Sequence, residues 1–171
     1  MSYQDTINYL YNLQKYGIKF GLENTNKLMS MMDNPHLKFN SIHIAGTNGK
    51  GSVSAMLASV LQEAGYKVGL YTSPHLINFT ERIRINGKEI SEDKVIELTD
   101  EIRSRLSAAE AADCGDREFT PTFFEFTTTM AFTYFAEENI DIAVIETGMG
   151  GRLDSTNVLK PLISVITAID Y

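Results

Sequence analysis

The sequence has one cysteine, no long apolar run and few basic residues. Because Cys114 is alone, no disulfide can form within the 171-residue chain. No apolar run approaches the roughly 20 residues that a helix needs to cross a bilayer, and the sequence does not open on a charged, then apolar leader. We therefore expect a protein of the reducing cytoplasm with no membrane segment.

Basic residues are outnumbered by acidic ones, 15 against 22, which gives a formal net charge of −7. Nucleic-acid binding takes most of its affinity from Lys and Arg side chains that neutralise phosphates. The charge therefore argues against a nucleic-acid partner, and an anionic ligand must be bound by local geometry. With 43% hydrophobic residues, the length suits one sizeable core and not two domains.

Short apolar strands alternate with helical patterns along the chain. Predicted strands cover residues 39–45, 67–71, 140–146 and 162–169, and predicted helices cover residues 3–16, 22–33, 53–64, 92–110 and 121–138. Residues 82–90 contain Asn86-Gly87 and predict a β-hairpin, and residues 112–118 predict a loop. This order predicts an α/β fold with a mainly parallel sheet flanked by helices, whose ligands gather at the carboxyl ends of the strands.

A glycine-rich loop, IAGTNGKGSV from residue 44 to 53, follows the first predicted strand. Its glycines allow the backbone to approach a phosphate, and the next helix directs its positive end at the same anion. In the common loop GxxxxGK[ST] a hydroxyl follows the lysine, but here Gly51 follows Lys50. The pattern favours a phosphate site over a plain glycine turn, and it leaves open which hydroxyl contacts a metal ion.

The helix after this loop is predicted to bury one apolar face. The apolar residues of this face share helical spacing and precede Gly65, the expected end of the helix. They are Val53, Met56, Leu57, Val60 and Leu61.

Two other strand ends carry polar side chains. Glu146 closes the run DIAVIE, where a carboxylate can hold Mg²⁺ or simply be a solvated strand end. Ser73 follows another strand, and its hydroxyl either faces the phosphates or belongs to a TSP turn. His75 is equally open between ligand and turn cap.

Polar and aromatic residues lie around the last glycine-rich stretch. The segment 147–151 (TGMGG) lacks GxGxxG spacing and is interpreted as a loop beside the site. Arg152 and Asp154 contact either substrate or each other in this interpretation. Glu125 lies among three phenylalanines and needs a partner if it is buried.

Four motifs in order resemble one family. They are GTNGKGS (46–52), LYTSPHLINFTERIRINGKEI (70–90), FFEF (123–126) and VIETGMGGRLDSTNV (144–158). Together they resemble the amino-terminal region of the folylpolyglutamate synthases, including the bifunctional dihydrofolate synthases, in the Mur ligase superfamily. The resemblance implies a P-loop ATP-binding domain and an ATP- and Mg²⁺-dependent ligation. L-Glutamate would be joined to folate or dihydropteroate through an acyl phosphate, by a parent protein that is a monomer.

The resemblance also implies roles for individual residues. The ATP loop would comprise Thr47, Asn48, Gly49, Lys50, Gly51 and Ser52, with Lys50 and Glu146 as catalytic residues and Ser73 and Glu146 as magnesium ligands. The pterin or pteroate pocket would be lined by Lys19, Phe20, Gly21, Leu22, Thr122, Phe123, Phe124, Glu125, Leu153, Asp154 and Ser155. On this interpretation Ser73 supplies the hydroxyl that Gly51 lacks.

Residues 1–171 are expected to be an incomplete, amino-terminal part of the ATP-binding domain. The last predicted strand ends just before Tyr171, without a covering helix, and the family's further magnesium-binding histidine, modified lysine and carboxyl-terminal domain are not in this sequence. The isolated chain is therefore expected to be inactive. The alternatives are a P-loop small-molecule kinase and a nucleotide-binding module without turnover, and the choice between dihydropteroate and folate stays open.

Overall fold

The computed structural model describes residues 1–17, 21–112 and 119–170. Within these ranges the helices are α1 (Tyr3–Asn12), α2 (Glu23–Met31), α3 (Lys50–Glu63), α4 (Glu92–Ala112) and α5 (Phe123–Glu137). The strands are β1 (Asn40–Ala45), β2 (Val68–Tyr71), β3 (Ile83–Ile85), β4 (Lys88–Glu89), β5 (Ile142–Glu146) and β6 (Ile163–Ile166). Short 3-10 turns cover Leu13–Tyr16, Pro35–Leu37, Phe79–Arg82 and Ser155–Val158. Cys114 and almost all of the predicted loop 112–118 lie outside the described residues.

The strands form one sheet in the order β4-β3-β2-β5-β1-β6. β2, β5, β1 and β6 are parallel, whereas β3 and β4 are antiparallel to their neighbours. The β3–β4 turn places Asn86 at φ 48° and Gly87 at φ 75°, as a type I′ hairpin requires. The predicted mainly parallel sheet with a hairpin near residues 82–90 is confirmed.

Helices cover both faces of the sheet. α3 packs on one face against apolar side chains of β1, β2 and β5. The other face carries the larger core, to which α1, α2, α4 and α5 contribute Leu10, Leu28, Leu98 and Phe132. These burials explain why β2 and β5 are nearly continuous apolar runs. No helix within the described ranges is long and apolar enough to cross a membrane.

The prediction for α3 was wrong in two respects. The helix begins at Lys50 and not at residue 53, and Met56 and Val60 are exposed instead of buried. Its buried residues are Ser54 and Ala58, with Val53, Leu57 and Leu61 partly buried beside them. Small side chains let the helix backbone approach the sheet closely, so the line of contact follows Ser54 and Ala58.

Two helix starts follow the capping rules. Thr122 accepts a hydrogen bond from the Glu125 N–H, and the Glu125 carboxylate accepts one from the Thr122 N–H, which forms a capping box for α5. The Ser91 hydroxyl accepts a hydrogen bond from the Lys94 N–H at the start of α4. The start of α5 is therefore held firmly in the place where its first aromatic residues meet the site described next.

Candidate functional site

Three loops meet at the carboxyl edge of the parallel sheet. The glycine-rich loop follows β1, Ser73 follows β2, and residues 147–154 follow β5. β5 lies between β1 and β2 in the sheet, so the loops are neighbours although they are far apart in sequence. This edge is where open α/β sheets bind their ligands.

The glycine-rich loop has the backbone of a phosphate-binding loop. Gly46 and Gly49 have φ values of 136° and 84°, a region that side-chain-bearing residues rarely adopt. Lys50 begins α3, and its ammonium donates hydrogen bonds to the carbonyls of Gly46 at 2.9 Å and Thr47 at 3.4 Å. The lysine therefore lies over its own loop, beside the helix start, where backbone N–H groups lack partners within the helix.

Two polar residues of this loop contact the segment after β6. The N–H groups of Thr47 and Asn48 donate to the carbonyl of Ala168 at 2.8 and 3.2 Å. The Asn48 amide also donates to the carboxylate of Asp170 at 3.1 Å. The loop is thus anchored on one side, and its remaining side is formed by the first turn of α3.

Glu146 and Ser73 form a polar pair beside that first turn. The Ser73 N–H donates to Glu146 Oε2 at 3.2 Å, and the Ser73 hydroxyl is buried with no hydrogen-bond partner in the part of the chain that the structure describes. A Cβ at Gly51 would lie 3.7 Å from both carboxylate oxygens of Glu146. The carboxylate therefore faces the position at which common phosphate loops carry their hydroxyl.

Burial is the main electrostatic influence on Glu146, a residue that is only 5% exposed. Desolvation raises the pKa of this carboxyl, and the Ser73 N–H and the Lys50 charge partly oppose that rise. A carboxylate in this setting gains from a further positive charge or hydrogen-bond donor. An unpartnered hydroxyl beside a desolvated carboxylate is a suitable pair of oxygen ligands for a hard cation.

A cavity of about 630 Å³ opens next to this pair. Its lining is mostly apolar and glycine-rich, and it includes Ser73; the other lining residues are Gln14, Gly17, Pro74, Arg82, Thr122, Phe123, Phe124, Gly148, Met149, Gly150, Gly151, Leu153, Asp154 and Ser155. A volume of this size and such walls suit a small organic molecule with a flat, apolar body.

The aromatic wall of the cavity comes from the start of α5. The Phe124 ring lies so close to Gly148 that an added Cβ would meet it at 2.6 Å, so only glycine fits there without displacing the ring. The Phe123 ring contacts the Tyr11 and Phe79 rings at centroid distances of 5.8 and 6.3 Å. Both rings are thus fixed by their surroundings and form a rigid wall.

Asp154 organises the glycine-rich loop after β5. Its Oδ2 accepts hydrogen bonds from the N–H groups of Gly148 and Met149, both at 2.9 Å, and its Oδ1 accepts from the N–H and hydroxyl of Thr156. The Thr156 oxygen lies 2.7 Å from His43 Nε2 on β1. Since the Thr156 hydroxyl donates to Asp154, His43 is the donor in this contact. Burial lowers the pKa of His43, so its neutral form is favoured.

The structure brings most predicted pocket residues together. Thr122, Phe123, Phe124, Leu153, Asp154 and Ser155 all line the cavity. Glu125 does not line it and instead caps α5, with one carboxylate oxygen unpartnered among the described residues. Gly21 and Leu22 also do not line it, and Lys19 and Phe20 lie outside the described residues. Ser52 is exposed on the first turn of α3.

Sequence reasoning missed Arg82, which lines the cavity and is buried. In the sequence Arg82 only begins the predicted hairpin, and nothing in the local pattern distinguishes it from a surface arginine. His75 is neither a free ligand nor a simple turn cap, since it accepts a hydrogen bond from Arg82 and contacts Tyr11.

Known proteins resemble this chain in sequence and in structure. No protein-family model matches it. A dihydrofolate synthase/folylpolyglutamate synthase of Bacillus subtilis is 44% identical over 171 residues, which is 99% of this chain and 39% of that protein. The crystal structure of a folylpolyglutamate synthase from Thermotoga maritima has a TM-score of 0.89 and 47% identity, and the match covers 99% of this chain and 38% of that one.

A solved FPGS complex with AMPPCP and folate has a TM-score of 0.87 and 36% identity, and the match covers 100% of this chain and 42% of that one. The chain thus spans about two fifths of the length of the relatives it matches. Identities of this size over nearly the whole chain, together with the shared fold, show common ancestry. The chain is therefore homologous to folylpolyglutamate synthases and dihydrofolate synthases over about two fifths of their length.

Proposed function

We propose that the protein containing this chain joins L-glutamate to folate or dihydropteroate at the expense of ATP. One observation carries the proposal: Ser73 pairs with Glu146 beside the phosphate-type loop and also lines the aromatic cavity. A phosphate site and an organic-acid site would therefore share one residue. Such adjacency suits the phosphorylation of a carboxylate, because the reaction depends on positioning and on charge stabilisation.

ATP would be held by the glycine-rich loop, residues 46–52. The free N–H groups of the first turn of α3 and the positive end of that helix suit its phosphates. Lys50 would exchange its contacts with the carbonyls of Gly46 and Thr47 for phosphate oxygens. A related structure with AMPPCP supports the choice of nucleotide.

Ser73 and Glu146 would hold Mg²⁺. The fit rests on their chemistry, because magnesium prefers oxygen ligands, and the Ser73 hydroxyl is buried without a partner within the described ranges. Gly51 leaves the space beside Glu146 free of a side chain. When bound, the ion would neutralise charge on the phosphate groups. Glu146 and Ser73 would then orient those groups toward the cavity.

The cavity would bind the pterin or pteroate body of the acid substrate. Phe123 and Phe124 offer aromatic faces, against which flat rings stack favourably. Thr122, Leu153, Asp154 and Ser155 line the same space, in agreement with the family's pattern. A related structure with bound folate supports this class of ligand. The acid's carboxylate would take the γ-phosphoryl group of ATP, which leaves ADP. The amine of glutamate would then attack the carbonyl carbon of the acyl phosphate, so that the amide bond forms and inorganic phosphate leaves.

Residues 1–171 would be the amino-terminal part of a Mur-ligase-type ATP-binding domain in a longer, monomeric protein of the cytoplasm. This proposal rests on the two fifths of each relative that the chain spans. Since parts of the relatives have no counterpart in this sequence, we expect no ligase turnover by the 171-residue chain alone.

The experiment compares Ser73→Ala with Ser52→Ala in the full-length protein. ADP release is measured with folate and glutamate over a range of Mg²⁺ concentrations. Even indirect partners of a metal ion are worth about 10–100-fold in activity, so Ser73→Ala should lower magnesium-dependent activity at least about tenfold. Ser52→Ala should have a smaller effect.

Two outcomes would contradict the proposal in different ways. Equal or reversed effects of the two substitutions would indicate that the glycine-rich loop, and not Ser73, supplies the hydroxyl that contacts the metal ion. ADP release that does not require glutamate would instead indicate a kinase, which transfers phosphate and stops.

A further inference from the structure

Arg82 is a buried cation in the wall of the cavity. The residue is 7% exposed, and it lies at the end of the 3-10 turn Phe79–Arg82, just before β3. The Arg82 carbonyl accepts a hydrogen bond from the Thr72 N–H at 3.0 Å. Arg82 is therefore fixed beside the strand end from which Ser73 emerges, and both residues line the same cavity.

No carboxylate lies within 4.0 Å of the Arg82 guanidinium among the described residues. The neighbouring Glu81 uses both oxygens on the backbone N–H groups of residues 76–78, at 2.7 to 2.9 Å. Asp154, in the same cavity wall, uses its oxygens on its own loop. A buried charge without a counter-ion costs free energy. The described residues offer this guanidinium no anionic partner, so an anionic group of a ligand would stabilise it.

The guanidinium is held at one edge. Arg82 Nε donates to His75 Nδ1 at 2.7 Å, and His75 Nε2 lies 3.1 Å from the Tyr11 hydroxyl. Because Nδ1 accepts, a neutral His75 carries its proton on Nε2 and donates to Tyr11. The guanidinium carbon also lies 5.1 Å from the centre of the Phe123 ring. These contacts fix the plane of the group, and no hydrogen bond joins its two terminal nitrogens to other described residues.

We propose that Arg82 binds the carboxylate of the acid substrate, with His75 and Tyr11 as positioning residues behind it. The inference rests on the proposed function, which places an aromatic acid in this cavity. A guanidinium matches a carboxylate with two parallel hydrogen bonds. With Nε held by His75, the terminal nitrogens supply these bonds, while Phe123 and Phe124 contact the aromatic body. Arg82 thereby directs the acid end of the ligand toward the side of the cavity that holds Ser73.

The test compares two ligands that differ only at this end, pteroate and its neutral carboxamide. Their affinities are measured by isothermal titration calorimetry on the full-length protein. A pair of charge-assisted hydrogen bonds should make pteroate bind about ten- to hundredfold more tightly than the carboxamide. In Arg82→Met this preference should fall to within about threefold of equal binding.

Two further variants control for folding and for charge. Arg84→Met, two residues along β3 and outside the cavity lining, should keep the wild-type preference. Arg82→Lys keeps the positive charge without the fork and should retain only part of the preference. If Arg82→Met does not fold, a full preference in Arg82→Lys would contradict the role of the fork.

The role of His75 is tested by removing and restoring its acceptor. His75→Leu should lower the preference for pteroate, because Arg82 Nε then loses its anchor. His75→Asn offers an amide oxygen near the position of Nδ1 and should recover most of the loss. A purely structural role would lower both affinities together and leave their ratio unchanged.

The outcomes separate this inference from the function on which it rests. If the wild type prefers pteroate and Arg82→Met keeps that preference, Arg82 is not the carboxylate ligand, although the pteroate pocket stands. If neither compound binds the wild type, the proposed pteroate pocket is wrong, and the inference fails with it.

Discussion

Replacement of Asp154 by Asn should destabilise the loop after β5. We expect the main effect to be on the free energy of unfolding, because the Asp154 carboxylate binds this loop and not the ligand. The family's pattern implies that Asp154 lies in the substrate pocket, and it does line the cavity. Its carboxylate, however, already accepts hydrogen bonds from Gly148, Met149 and Thr156. Asparagine keeps one oxygen for Thr156 but directs an NH₂ group at the two loop N–H groups.

The magnitude follows from these contacts. Two charge-assisted hydrogen bonds are lost, each worth about 1.5–3 kcal/mol, and two donors then face a donor. Met149 is exposed and Gly148 half-buried, so water recovers part of the loss. We expect the free energy of unfolding to fall by about 2–4 kcal/mol, a large part of the roughly 5–15 kcal/mol that stabilises a typical domain.

The assay is urea unfolding followed by circular dichroism, with Asp100→Asn as the matched control. Asp100 forms a surface ion pair with Arg103 at 3.7 Å, and its loss should cost less than about 1 kcal/mol. If Asp154→Asn costs no more than the control and yet abolishes pteroate binding, the carboxylate serves the ligand directly. That result would refute the inference that Asp154 mainly organises the loop after β5.

Three further predictions concern other parts of the site. Gly148→Ala should displace the Phe124 ring and cost about 1–3 kcal/mol in urea unfolding, with weaker pteroate binding by calorimetry. Burial lowers the pKa of His43 below its ordinary value of 6.5. The free energy of unfolding should therefore fall as the pH drops below 6.5, until the folded-state pKa is passed. His43→Gln should reduce this dependence on pH when unfolding is measured at several pH values. Hydrogen bonds from the N–H groups of residues 76–78 lower the pKa of Glu81 to about 2, so the loop 76–78 should keep its order until the pH falls toward that value. Glu81→Ala should speed the cleavage of this loop by protease at neutral pH.

Much of the fold could be predicted because the inner parallel strands β2 and β5 are buried on both faces and are nearly apolar throughout. Residues 142–146 illustrate this, since they lie between β1 and β2. The hairpin was equally clear from Asn86-Gly87, whose positive φ values few other pairs adopt. The buried face of α3 could not be predicted, because Ser54 and Ala58 are small and a hydrophobicity pattern gives them little weight.

The candidate site was predicted where its residues end strands or form a glycine-rich loop. Position alone left Ser73 open between a metal contact and a turn, and the 3.2 Å hydrogen bond to Glu146 shows which residue it faces. The contacts of Tyr11, His75, Arg82 and Phe123 could not be predicted. They join four elements across more than a hundred residues, and no local spacing records such a meeting.

Ser73 donates its N–H to Glu146 and also lines the cavity. On the proposed function it would therefore lie at the boundary between the magnesium site and the pteroate pocket. A ligand that shifted Ser73 from one side would then change the free energy of binding on the other side. Thermodynamic linkage would make that change reciprocal, so that pteroate would alter the magnesium affinity by the same factor as magnesium alters the affinity for pteroate.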